Sequence, residues 1–138
     1  MNISDMMTKN PRTAAPNDNL QTVAQIMRDE DTGVVPIVDK GKLVGIVTDR
    51  DIVIRCLADG KFNAKATDAA SDDIVTVTPD MSTADAAELM ADHQIRRLPV
   101  VEGDKLVGIL SLGDIAVKEG KDKRTGDTLE DISQGVKH

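Results

Sequence analysis

Two short stretches of this chain carry residue types at a spacing that could do chemistry on a ligand: Gly45-Ile46-Val47-Thr48-Asp49-Arg50-Asp51 and Gly108-Ile109-Leu110-Ser111-Leu112-Gly113-Asp114. In each, a glycine, two apolar residues and a hydroxyl lead to an aspartate three positions beyond the hydroxyl. A strand that runs into a helix at such a point exposes unpaired backbone N–H groups, which favour anions. A carboxylate there can accept both hydroxyls of a ribose diol. The combination suits a nucleoside bearing phosphates. The same spacing has a second reading, because Thr48-x-x-Asp51 and Ser111-x-x-Asp114 also fit a helix capping box. Ser82-x-x-Asp85 fits it equally well and has no ligand claim. Local pattern alone favours capping; recurrence after a glycine-bearing strand in both stretches brings the ligand reading forward.

Other chemistry-bearing residues make weaker cases. Cys56 lies on a predicted helix, where a lone cysteine is far more often a small buried hydrophobe than a redox site. His93 falls near a helix C-terminus, where it complements the dipole, and His138 is terminal. Two scattered histidines and one cysteine make no transition-metal cluster. Asp49 with Asp51, or Asp72 with Asp73, could attract Mg²⁺, but in a chain this acidic they read as solvated faces. No nucleophile stands beside an evident base, so the chain is not expected to be an enzyme, and no cofactor or metal is expected.

The elements that must position the two turns come in two copies. Lys42-Leu43-Val44-Gly45-Ile46 recurs as Lys105-Leu106-Val107-Gly108-Ile109, an offset of 63 residues from Lys42 to Lys105. The same offset pairs Asp5 with Asp68, Pro36 with Pro99 and Asp51 with Asp114 without a gap. In each copy a short helical turn (Ile3 to Met7; Thr67 to Ala70) leads to an extended segment (Arg12 to Ala15; Ile74 to Thr78). Leu20, Val23, Ala24, Ile26 and Met27, and likewise Thr83, Ala86, Ala87, Leu89 and Met90, fall at one-face helical spacing, with Asn19 and Ser82 where N-caps belong. Val34 to Val38 and Leu43 to Val47, then Leu98 to Val101 and Leu106 to Leu110, predict β-hairpins around glycine-bearing turns. A second helix follows at Asp49 to Ala58 and at Leu112 to Lys118. The expected fold is α/β (α+β): two β-α-β-β-α repeats, residues 1–60 and 61–120, packed about a pseudo-two-fold axis with a cleft between them, then a polar tail over 121–138. That tail is either disordered or a short helix around Thr128 to Ser133.

Composition narrows the partners. Of 138 residues 40% are hydrophobic, yet Phe62 is the only aromatic, so the core is aliphatic and no stacking platform for nucleic-acid bases exists. The net charge of −7 belongs to the repeats, since over the last 21 residues Lys118, Lys121, Lys123, Arg124 and Lys137 balance Glu119, Asp122, Asp127, Glu130 and Asp131. Such a body repels nucleic acid and anionic membrane. No apolar run is long enough to span a bilayer, and the first residues lack signal-peptide character, so a cytoplasmic protein is expected.

The residues quoted resemble the cystathionine β-synthase (CBS) domain in its tandem pair, and over the whole chain the small stand-alone CBS-pair proteins of bacteria. The resemblance runs from about Met1 to Glu119, on Val35-Pro36-Ile37-Val38 and Leu98-Pro99-Val100-Val101, the glycine-bearing strands, and the Thr48-Asp49-Arg50-Asp51 and Ser111-Leu112-Gly113-Asp114 turns. It implies a regulatory module that binds an adenosine-derived ligand such as AMP, ADP, ATP or S-adenosylmethionine, as a homodimer, and signals to a regulated protein not encoded here. By that resemblance Asp51 and Asp114 hold the ribose hydroxyls, and Thr48 and Ser111 assist. Adenine lies near Val34, Val35 and Pro36 beside Thr13, or near Ile95, Leu98 and Pro99 beside Thr76 and Val77. Arg97 matches a phosphate-contacting position, with Arg96 and Arg50 beside the turns. The copies differ: Arg96-Arg97 stands where the first copy has Gly33-Val34, and Gly113 where it has Arg50. Two unequal sites are therefore expected. The alternative is a ligand-free interaction or dimerisation module.

Overall fold

The computed structural model describes residues 1–72 and 74–119. Asp73 and the tail, including the Thr128 to Ser133 segment, lie outside the described residues. The elements in chain order are a 3-10 turn at Ile3–Asp5, β1 (Thr8–Lys9), α1 (Leu20–Glu30), β2 (Val34–Asp39), β3 (Lys42–Thr48), and α2, which starts at Asp49–Asp51 and runs on as a π-helix over Ile52–Leu57. After these come α3 (Ala66–Ala69), α4 (Thr83–His93), β4 (Arg97–Glu102), β5 (Lys105–Ser111) and α5 (Leu112–Glu119). The chain divides into two compact units.

The first unit contains Met1–Pro11, Val75–Gly103 and the described residues from Val107 on. Its core is aliphatic: Ile3, Met6, Val77, Ala86, Met90, Leu98, Val100, Leu110, Leu112 and Ile115 are at most 2% exposed. The N-terminal turn is seated by Ile3 N–H on the Met81 carbonyl (2.9 Å) and Ser4 N–H on the Pro79 carbonyl (3.0 Å). α4 buries the face expected of it, and its N-cap is Ser82, whose Oγ accepts the Asp85 N–H at 3.1 Å. β5 pairs with β4 and, antiparallel, with β1, where Lys9 faces Gly108. Gly108 is required there: a Cβ would come 2.6 Å from Met7 Sδ and 2.9 Å from the Thr8 carbonyl oxygen.

The second unit contains Arg12–Ile74 with Asp104–Leu106. Val23, Ile26, Val35, Ile37, Val47 and Cys56 form its core with Ala64, Ala66 and Ala69. α1 is capped by Asn19, whose Oδ1 accepts the Thr22 N–H at 2.8 Å. β2 and β3 pair antiparallel, with Val34 opposite Thr48, Val35 opposite Val47 and Pro36 opposite Ile46. α3 is fastened to the chain before α1 through Ala66 N–H to the Asp18 carbonyl (2.7 Å) and Thr67 N–H to the Pro16 carbonyl (3.2 Å). Gly45 answers to Gly108: Ile46 and Ser71 exchange N–H···O bonds of 3.0 and 2.8 Å, and a Cβ on Gly45 would lie 3.2 Å from the Ser71 oxygen.

Three local expectations change. The extended segments at Arg12 to Ala15 and Ile74 to Thr78 reduce to single parallel bridges, Ala14 to Ile37 and Val77 to Val100. The strand Thr8–Lys9 carries no apolar pattern by which it could be read. The second helix of the first copy is mostly π-helical, with Ala58 N–H bonding the Val53 carbonyl at 2.9 Å and Lys61 N–H the Cys56 carbonyl at 2.8 Å.

Candidate functional site

In the second unit, Thr48 ends β3 in extended conformation and serves as N-cap of α2. Its Oγ1 accepts the Asp51 N–H at 3.1 Å, and the Asp51 Oδ2 accepts the Thr48 N–H at 3.0 Å. The capping reading is thus correct for this turn. It leaves the ligand reading open, because an ionised carboxylate has about four lone-pair directions. Oδ2 uses one of them on Thr48, and Oδ1 faces Arg55 Nε at 3.7 Å, a loose ion pair. The Asp51 side chain keeps 20% of its surface, so a hydroxyl donor can still reach it. Arg55, a basic residue near Arg50 in the sequence that was not among the expected site residues, stands one helical turn beyond Asp51; it also donates from Nη1 to the Ala70 carbonyl at 3.4 Å.

Around that turn, Val34 is half-buried directly across from Thr48, while Thr13 and Arg50 are exposed. Pro36 is buried, and its carbonyl accepts the Ala14 N–H at 3.0 Å, which holds Thr13 beside β2. Val35 is fully buried, so its side chain belongs to the core. The first unit repeats the pattern: Ser111 Oγ accepts the Asp114 N–H at 3.0 Å, and both residues are half-buried. The Pro99 carbonyl accepts the Val77 N–H at 3.1 Å, placing Thr76 and Val77 beside β4. Thr76, Arg96 and Arg97 are exposed, Ile95 is half-buried, Pro99 is buried, and Leu98 and Val77 are core side chains.

One further pair escaped the sequence reading. Asp49 N–H donates to the Gly33 carbonyl at 2.9 Å, and the Asp49 carboxylate lies where a side chain on residue 33 would stand, 3.2 Å from an added Cβ. Oδ1 of Asp49 accepts the Arg50 N–H at 2.8 Å. In the sequence this contact showed only as a glycine at position 33 where the second copy has Arg96. Among the described residues no group of three or more His, Cys, Asp or Glu side chains is arranged to hold a metal.

A strand that enters a helix through a hydroxyl and an aspartate occurs twice in this chain, once in each copy of an α/β repeat. The chain belongs to the CBS-domain family, whose model matches residues 3–57 and again 66–118. The CBS domain-containing protein YhcV of Bacillus subtilis is 41% identical over 132 residues, spanning 95% of this chain and 94% of that one. A crystal structure of the CBS domain pair of protein MJ0100 in complex with 5′-methylthioadenosine and S-adenosyl-L-methionine is 31% identical, with a TM-score of 0.78 over 88% of this chain and 98% of that one. Hypoxic Response Protein I, solved with two coordinated zinc ions, is 37% identical, with a TM-score of 0.77 over 85% of this chain and 98% of that one.

Proposed function

We propose that this chain is a regulatory module, not an enzyme, that binds an adenosine-derived ligand at the Thr48–Asp51 and Ser111–Asp114 turns. The observation that carries the reading is the turn itself: Asp51 is held by Thr48 and Arg55 in one orientation yet keeps an accessible edge. A carboxylate fixed in that way loses little freedom when it accepts a ribose diol. The related domain pair bound to 5′-methylthioadenosine and S-adenosyl-L-methionine supports the ligand class. AMP, ADP and ATP belong to the same class, and exposed Arg96 and Arg97 suit their phosphates. The ligand acts by population shift: it favours whichever conformation or self-associated state binds it better, by no more than its differential affinity. A cytoplasmic partner reads the outcome.

Thermal denaturation with AMP, ADP, ATP and S-adenosylmethionine tests this. A ligand at about 100 times its Kd stabilises by roughly 2.7 kcal/mol, a rise of several degrees in a chain of this size. No rise with any of them overturns the reading.

The second reading, a dimerisation module without ligand, is favoured by one observation. Val53, Ile54 and Leu57 are half-exposed on α2, and Val53 and Ile54 line an open depression of about 320 Å³ with Asp49 and Arg50. A stable dimer by sedimentation, together with no thermal response to any adenosine compound, decides for it.

A further inference from the structure

Arg55 is shared between two acceptors and close to neither. Its Nε stands 3.7 Å from Asp51 Oδ1, and its Nη1 donates to the Ala70 carbonyl at 3.4 Å. Both distances exceed the usual length of a charge-assisted bond, about 2.7–2.9 Å. A guanidinium holds its donors in a rigid fork, so a move that shortens one of these contacts lengthens the other. The Arg55 side chain is half-exposed and that of Asp51 keeps 20% of its surface, so the pair is weak and easily shifted.

The second acceptor lies in another part of the same unit. Ala70 is the C-cap of α3, and the next residue, Ser71, exchanges N–H···O bonds of 2.8 and 3.0 Å with Ile46 of β3. β3 runs on from Ile46 to Thr48, which shares the two capping bonds, 3.0 and 3.1 Å, with Asp51. Ile46, Thr48, Asp51, Arg55, Ala70 and Ser71 thus close a ring of contacts, and the Arg55 fork is its one loose member. Cys56, the residue after Arg55, is 1% exposed and shares a core with Ala66 and Ala69 of α3. The Asp68 carboxylate of α3 is close enough to act on its thiol. Access to Cys56 therefore reports how firmly α3 is seated.

A hydroxyl that donates to Asp51 Oδ1 takes up acceptor capacity that now faces Arg55. Thr48 keeps Oδ2, so the carboxylate holds its orientation while the guanidinium gains by moving to the Ala70 carbonyl. Resting on the adenosine reading of Asp51, we propose that Arg55 is a positioning residue that couples this site to α3: a ligand on Asp51 transfers the guanidinium to Ala70 and tightens the α3–Ser71 segment against β3. By reciprocity, loosening that segment weakens the ligand by the same factor. Lys65, Thr67 and Asp68, exposed at α3, are then where a partner meets the consequence of occupancy.

Hydrogen exchange at the Ser71 amide, which bonds the Ile46 carbonyl, and alkylation of Cys56 measure this hold in the full chain. Exchange over Leu20–Glu30 in the same samples is the reference for global unfolding. Without ligand, Asp51→Asn removes the charge that draws Arg55 away from Ala70, and should slow both rates about threefold relative to α1. Arg55→Gln should speed them about threefold, and the double variant should match Arg55→Gln alone. Adenosine or ATP at saturation should slow both rates about threefold in the natural chain and leave them unchanged in Arg55→Gln, a dependence that a purely structural arginine would not produce. Equal rates in the ligand-free natural chain, Asp51→Asn and Arg55→Gln overturn the coupling. So does a ligand that binds the natural chain by calorimetry and leaves Ser71 and Cys56 unaffected; in both cases the adenosine reading stands. Failure of adenosine, ATP and S-adenosylmethionine alike to bind the natural chain overturns that reading and the coupling with it.

Discussion

Asp51 shows how one side chain can be structural and available at once. Its Oδ2 closes the capping box with Thr48, its Oδ1 faces Arg55, and part of its surface stays open. The sequence offered capping and ribose binding as rivals; in the folded turn they are compatible, because capping fixes the carboxylate that a ligand would use. The motif glycines turn out differently. They lie at the start of each candidate turn in sequence, but their neighbours are β1 and the segment after α3, so their reason is close chain approach. Gly108→Ala is expected to cost about 1–3 kcal/mol, because the new methyl presses on backbone at Thr8 as well as on Met7. Gly45→Ala, with its nearest contacts at 3.2 Å, should cost less. Chemical denaturation of the two variants checks the order; equal losses would contradict the account of Gly108.

At the scale of elements, α1 and α4 were legible because periodicity, cap and apolar face agree in each, and the structure uses all three, except that Ala24, expected on the apolar face of α1, is exposed. The Asp5 and Asp68 pair, plain in the repeat, also acquires a reason: their carboxylates accept the N–H groups of Asn2 (3.1 Å) and Lys65 (2.8 Å), closing the short helical turns. α2 was legible as a helix but not as a π-helix. Ile52, Val53 and Ile54 are β-branched and fit an α-helix less readily, yet nothing in side-chain type specifies the wider i→i+5 bonds. Cys56 sits in that segment, 1% exposed, and its thiol is pushed up from the ordinary value of 9.0, first by burial and then by the Asp68 carboxylate. A neutral thiol is therefore favoured by the fold. That contribution is fully present below the ordinary thiol pKa and is lost as pH rises through the raised one. Alkylation of Cys56 at pH 8 should be slow in the native protein and fast in denaturant; equal rates would show the thiol to be accessible.

At the scale of the molecule, the repeat was readable and the composition of the compact units was not. Self-similarity shows where a pattern restarts; it does not show which core each segment joins. Met1–Pro11 contributes Ile3 and Met6 to the core of α4, β4, β5 and α5, while Ala64, Ala66 and Ala69 complete the core of α1, β2 and β3. Deleting residues 1–11 should therefore destabilise the first unit by several kcal/mol, on the scale of losing two large buried side chains. Hydrogen exchange should lose protection over Thr83–His93 and retain it over Leu20–Glu30; uniform loss would show that the unit boundaries do not govern stability. The central claim is that Asp51 and Asp114 hold an adenosine-derived ligand, and the most direct test is calorimetric titration of the natural chain and of the Asp51→Asn, Asp114→Asn double variant with S-adenosylmethionine and ATP. The account predicts saturable binding to the natural chain and loss of at least about tenfold in the variant, which remains folded because asparagine can still cap. Unchanged binding in the variant, or no binding to the natural chain, would contradict it.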